Sequence, residues 1–443
     1  MFEDLASTIN EQFASTRRHL VDLVRIPSVS APGYDPGEVR RSAEATAALL
    51  EGAGLQQVQL LELADAHPAV YGEIPAPPGA PTVLLYAHHD VQPPGDGWST
   101  DPFDPVERDG RLFGRGTSDD KCGVVLHAAS LAALGGSLPV GVKVFVEGEE
   151  ETGSLHLEEF LAAHGSSLAA DVIVIADSSN WRNGVPSFTT SLRGLVDCEV
   201  QVRTKQHAVH SGMYGGVFPD ALTALARLIA TLHDESGRVA IARLVAEDAD
   251  PLDLTEEELR LQVAAHDSLE LIGSGTLTSR LWRQPALSVL AIDAPRVSEA
   301  VNALVPVATA KVSLRLAPGQ DPGQAMQALS DHLTSRAPWG AQVTVTPGSS
   351  GHAFSLETGG PGYAAFAAGF QYAWGTAPVE VGQGGSIPFV AAFSTAFPEA
   401  EILLTGVGDE RSRAHGPDES LDLEELRRGC LAEAIALVQL GNG

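Results

Sequence analysis

Short apolar runs alternate with amphipathic stretches over the first third of this chain, and the pattern returns near its end. Leu5, Ile9, Phe13, Leu20, Leu23 and Val24 recur close to helical spacing, which predicts a helix over 4–25 that stops at Ile26-Pro27. A second amphipathic helix is expected over 41–53, closed by Gly54. The apolar runs at 81–87, 140–146, 171–176 and 401–407 read as buried strands. Helices are expected around them at 121–135, 154–164, 363–373 and 422–440. Strand and helix in alternation, with short connections, predict an α/β domain built on a mostly parallel sheet.

The middle of the chain has a different rhythm. Residues 189–203 alternate with period two, as a strand with one solvated face does. Helices are expected at 219–233, across the Asp/Glu-rich stretch 246–271 and at 321–335, with strands near 308–316 and 341–347. The expected organisation is one α/β domain formed by 1–188 and 352–443, interrupted by a smaller α+β domain over 189–351.

Length and charge narrow the partners. A chain of 443 residues suits two domains rather than one core. A net charge of −29 argues against nucleic acid or an anionic membrane surface, both of which need a basic face. No stretch approaches the roughly 20 apolar residues of a membrane span. Cys122, Cys198 and Cys430 are widely spaced, which suggests free thiols in a reducing compartment. With no signal-like apolar segment near Met1, the expected location is the cytoplasm.

The candidate chemistry sits where the apolar runs stop. His88-His89-Asp90 follows the first run, Glu149-Glu150-Glu151 the second and Asp177 the third, while His415 lies in a loop after the fourth. Asp119 or Asp120 stands at the start of the helix expected at 121–135, after a Gly-rich turn. In open α/β sheets, ligands bind beyond the carboxyl ends of the strands. Carboxylates gathered there repel one another unless a cation or proton is shared. Residues i and i+2 of an extended segment share a side, so His88 and Asp90 are expected to act together and His89 to point away.

At this combination the sequence resembles the co-catalytic zinc hydrolases of metallopeptidase family 20. The likeness rests on Tyr86–Pro94, Gly114–Lys121, Glu147–Ser154, His210–Gly216 and Gly384–Pro388, and it is strongest toward the carnosinase-like nonspecific dipeptidase branch. The resemblance implies a mostly parallel-sheet di-zinc exopeptidase domain with an inserted ferredoxin-like lid and dimerisation domain. It implies two Zn2+, with Mn2+ or Co2+ as substitutes. Asp119 would bridge the metals, His88 and Asp177 would complete one site, and Glu151 with His415 the other.

The resemblance further implies that Glu150 is the general base of amide hydrolysis through a metal-bridged hydroxide, with Asp90 orienting His88. His210 and Asn302 would reach the neighbouring subunit of a homodimer, Arg315 would receive the substrate carboxylate, and Gly385 and Ser386 would grip the substrate main chain. The substrate is expected to be a small peptide, with N-acyl amino acids as the alternative. Two positions depart from the dipeptidase pattern. Cys122 stands where that branch carries Gly, and Gln383 where some dipeptidases carry Glu.

Overall fold

A computed structural model describes residues 2–136, 138–384 and 388–442. It divides into two compact units, one formed by Met1–Thr190, Leu356–Val381 and Pro388–Gly443, the other by Ser191–Ser355 with Gly382–Ile387.

The first unit is a three-layer α/β/α structure. Its sheet has the order Gln56–Leu61, Ala69–Ile74, Gly141–Glu147, Thr82–His88, Val172–Ile175, Glu401–Leu404. The first two strands run antiparallel to their neighbours and the other four are mutually parallel. Both faces are covered, which is why the parallel strands read as continuous apolar runs instead of alternating. On one face Val83, Leu85, Ala87, Val142, Val144 and Val146 join the core formed with the helices Phe2–Val24, Lys121–Leu134 and Leu423–Leu440. On the other, Tyr86 stacks on Phe389, its ring centroid 5.0 Å away, and Phe145 and Phe393 close the cluster. Each such buried side chain contributes roughly 1.5–3 kcal/mol, and this packing holds the strand ends rigid.

Helix boundaries follow local chemistry. Asp120 caps the helix Lys121–Leu134 by accepting from the Gly123 amide at 3.2 Å, and Gly135 ends it in the left-handed conformation. Lys121 is buried and donates to the carbonyls of Leu23 and Ile26, 2.8 and 2.7 Å away. It thereby ties the start of this helix to the end of the first one.

The second unit follows a β-α-β-β-α-β order, the ferredoxin-like pattern. Its four antiparallel strands are ordered Ala286–Asp293, Val307–Leu316, Gly194–Arg203, Gln342–Gly351. The core of this unit joins Val196, Cys198, Val200, Val312 and Leu314 of the sheet to Leu225, Leu228 and Leu329 of the helices Ala221–Ala230 and Pro322–Ser335. The strand Val307–Leu316 alternates between half-buried and buried side chains along its whole length, so the sheet's other face is polar.

Three expectations need correction. The stretch 246–271 is helical only over Glu256–Gln262, where Thr255 and Glu258 form a capping box. Upstream, Asp248, Asp250, Pro251 and Asp253 favour turns, and Ala264 ends the helix at φ +48°. The period-two run 189–203 is two strands, Ser187–Leu192 and Gly194–Arg203, that belong to different sheets. They part around Gly194, where a Cβ would come within 2.7 Å of the Gly351 and Ala353 backbone. The pattern also gives no sign of the strands Gln56–Leu61, Ala69–Ile74 and Ala286–Asp293.

Candidate metal centre

The strand Thr82–His88 carries His88 into the interior, level with Glu147 on the neighbouring strand. The His88 Nε2 lies 3.0 Å from an oxygen of Asp119, 3.9 Å from Glu150 and 4.0 Å from Asp177. Its Nδ1 meets the Asp90 carbonyl oxygen at 3.0 Å and the Asp90 carboxylate at 3.3 Å. Asp90 also accepts the Glu150 and Glu151 amides at 3.2 and 3.1 Å and the Ser30 hydroxyl at 2.6 Å. One buried carboxylate therefore fixes both an imidazole and the turn that bears two glutamates. His89 points elsewhere, its Nε2 2.9 Å from the Pro68 carbonyl oxygen.

Asp119 is the centre of the arrangement. One of its oxygens faces His88 and the other faces His415, each at 3.0 Å. The next residue, Asp120, is the helix cap, which separates the roles that the sequence left open between the two aspartates. His415 also lies 3.2 Å from Glu151, whose carboxylate accepts from the amide and side chain of Gln92. Glu149 turns away to the His67 amide and to His156, at 2.8 and 2.7 Å. His88, Glu150 and Asp177 form one set of donor atoms within 4.8 Å of one another, and His88, Asp119 and Glu151 form a second.

The protonation pattern tests whether such a donor set fits a cation. Burial raises Glu150 to about 8 against the pull of His88, and Glu151, Asp90 and Asp119 push it further the same way. Burial and the carboxylates of Asp119, Glu150 and Glu151 likewise hold Asp177 well above the ordinary range. Burial tends to lower His88, but its bonds to Asp119 and Asp90 outweigh that and raise it. His415 is raised to about 10 by Asp119 and Glu151. Asp119 goes down instead, because His415 and His88 overcome its burial. Carboxyls that retain protons beside imidazoles that retain theirs mark a pocket that demands positive charge. Imidazole and carboxylate donors supply what a divalent transition metal takes.

Sequence reasoning missed the support of this site. Glu419 is fully buried and accepts the amides of Gly116, Ser118 and Asp119 at 3.1, 2.9 and 3.2 Å, as well as Arg115 at 2.6 Å. It follows His415 by four residues, so a single carboxylate joins the loop of His415 to the loop of Asp119. Its place in the His415–Glu419 run was the available signal. Gly406 lets that chain pass the strand carrying Asp177, since a Cβ there would overlap the Ser178 carbonyl. Nothing in the sequence flags Ser30, and Gln92 stands within the Tyr86–Pro94 motif with no role read for it.

The remaining site residues lie in the second unit. His210 pairs in register with Ala303, and the Asn302 carbonyl accepts the Ser211 amide at 3.0 Å. Arg315 lies on the strand Val307–Leu316, among the side chains of the polar sheet face. Gly385 and Ser386 lie outside the described residues.

Comparison with known proteins gives this geometry a family. The profile of peptidase family M20/M25/M40 matches residues 84–437. The chain belongs to that family. A cysteinylglycine-S-conjugate dipeptidase of Corynebacterium striatum is 36% identical over 82% of each chain. A Cys-Gly metallodipeptidase of Candida albicans is 30% identical over 97% of this chain and 95% of its own. Among solved structures, human carnosine dipeptidase 1 superposes with a TM-score of 0.77 at 24% identity, covering 100% of this chain and 99% of that one. Within peptidase family M20 the chain thus falls with the carnosinase-like branch.

Proposed function

We propose that this chain is a metal-dependent dipeptidase that hydrolyses the amide bond of dipeptides or short peptides. The observation that carries the reading is Asp119, whose two oxygens each meet a different imidazole, with Glu150 beside the first. Two Zn2+, with Mn2+ or Co2+ as substitutes, would be held by His88 and Asp177 on one side and by Glu151 and His415 on the other, Asp119 being common to both. Bound there, the cations would polarise the scissile carbonyl and lower the pKa of water. Glu150 takes the proton of the attacking water and delivers it to the departing nitrogen. Asp90 keeps His88 and the Glu150–Glu151 turn in place.

In the second unit, Arg315 is assigned to the substrate carboxylate, and Gly385 and Ser386 to its main chain. His210 is assigned to steadying the tetrahedral oxyanion of a neighbouring subunit, with Asn302 beside it. The His210 Nδ1 accepts the Gly212 amide at 3.1 Å, which leaves the proton on Nε2, where an oxyanion needs a donor. The homodimer reading is supported by the edge strand Ala286–Asp293, on which Leu290 and Ile292 are exposed. Unpaired apolar edges of this kind are normally covered. No described helix is long and apolar enough to cross a membrane. A cytoplasmic location suits three free, buried cysteines.

The reading is tested by incubating zinc-loaded protein with matched panels of free and N-acetylated dipeptides and quantifying the amino acids released. Cleavage of free dipeptides is expected. Preference for the acylated set would make the chain a deacylase working with the same residues.

A further inference from the structure

Of the buried arginines among the described residues, Arg111 and Arg115 each meet a carboxylate, Asp409 and Glu419 respectively. Arg193 does not. It is 7% exposed, and its one side-chain hydrogen bond goes from Nη1 to the Gln284 carbonyl oxygen at 3.3 Å, while Nε is buried with no partner. Its surroundings add positive charge. The sheet register pairs Arg315 with Leu195, and Arg193 stands just ahead of that strand, two residues before Leu195. Arg315 is half-buried and forms no side-chain hydrogen bond or ion pair among the described residues. Burial first, and the Arg315 charge second, push Arg193 down to about 10. Gly384 lies beside its Nη2.

A buried cation with a second cation at its side and no anion is costly unless an anion arrives. Two guanidiniums offer forked donors that suit a planar carboxylate. We propose that Arg193 is a second carboxylate-binding residue beside Arg315, and that the pair receives the terminal carboxylate of the dipeptide. The occupant's identity rests on the dipeptidase reading; the demand for an anion rests on the arginines alone.

The test is binding calorimetry on metal-loaded Glu150→Gln protein, which holds substrate without turnover, using a dipeptide and its C-terminal amide. Arg193→Met should weaken the free acid roughly 10- to 100-fold and the amide no more than about twofold, with Arg193→Lys in between. Thermal unfolding should show Arg193→Met as stable as the parent or more so, because an unpaired buried charge has been removed. Equal losses for acid and amide, or a lowered Tm with the acid preference intact, would make Arg193 a structural residue and overturn the proposal. Should Arg193→Met not fold, the acid-to-amide ratio of Arg193→Lys decides alone. The two readings separate cleanly. A protein that cleaves no dipeptide yet binds the acid through Arg193 refutes the dipeptidase and keeps the subsite. Cleavage with an acid preference indifferent to Arg193 does the reverse.

Discussion

In the first unit His88, Asp119, Glu150, Glu151, Asp177 and His415 crowd together at the ends of buried strands, and every acid there has an imidazole or another acid for a neighbour. In the second, Arg193 is buried with no acid for a partner and with the Arg315 charge acting on it. The cluster around Asp119 is thus short of positive charge, and the surroundings of Arg193 are short of negative charge. Each deficit is costly to the isolated protein, and such costs are usual at places where a ligand completes the structure.

The largest effect that sharpens this contrast is expected at Glu150. Glu150→Gln should lower kcat by roughly 10²- to 10⁴-fold or more while metal content, measured by elemental analysis, stays at the parent level. An active variant would remove Glu150 from the role of base. A smaller effect is expected at Glu419, which only positions. Glu419→Gln should weaken metal binding roughly 10- to 100-fold in a chelator competition, because the amides of Ser118 and Asp119 lose a charged acceptor. Undiminished affinity would mean that the Asp119 loop holds itself.

The smallest effect concerns a buried pair that belongs to neither deficit. His127 lies 2.8 Å from Glu433, and the Glu433 charge and hydrogen bond raise it despite its burial. A raised histidine stabilises the fold fully below its unfolded pKa of about 6.5, and the benefit is lost as pH rises through the folded value. Glu433→Gln should therefore cost about 1–3 kcal/mol at pH 6 and progressively less toward pH 9, as read by denaturant unfolding. A penalty that does not change with pH would contradict the charged pair.

The legibility of these features in the sequence follows the same contrast. Charged residues that end apolar runs, as His88, Glu150 and Asp177 do, stand out because burying them needs a reason. The parallel strands stood out for the same cause, being apolar without interruption. Two strands exposed along most of their length did not. Gln56–Leu61 and Ala286–Asp293 are largely exposed, and their composition carries little strand signal. The support of the metal centre was hidden as well, because Glu419 acts through backbone amides that any residue supplies. Arg193 was hidden because its meaning is an absent partner, and a sequence records no absences. Asp120 became distinct from Asp119 only once the helix cap was seen.

We propose that the cluster around Asp119 holds two cations, and calorimetric titration of Zn2+ into metal-free protein tests this most directly. Two equivalents per chain are expected, and for Asp119→Asn a severe weakening of both, since both sites would share that carboxylate. A single equivalent in the parent, or an Asp119→Asn variant that still binds two with undiminished affinity, would contradict it.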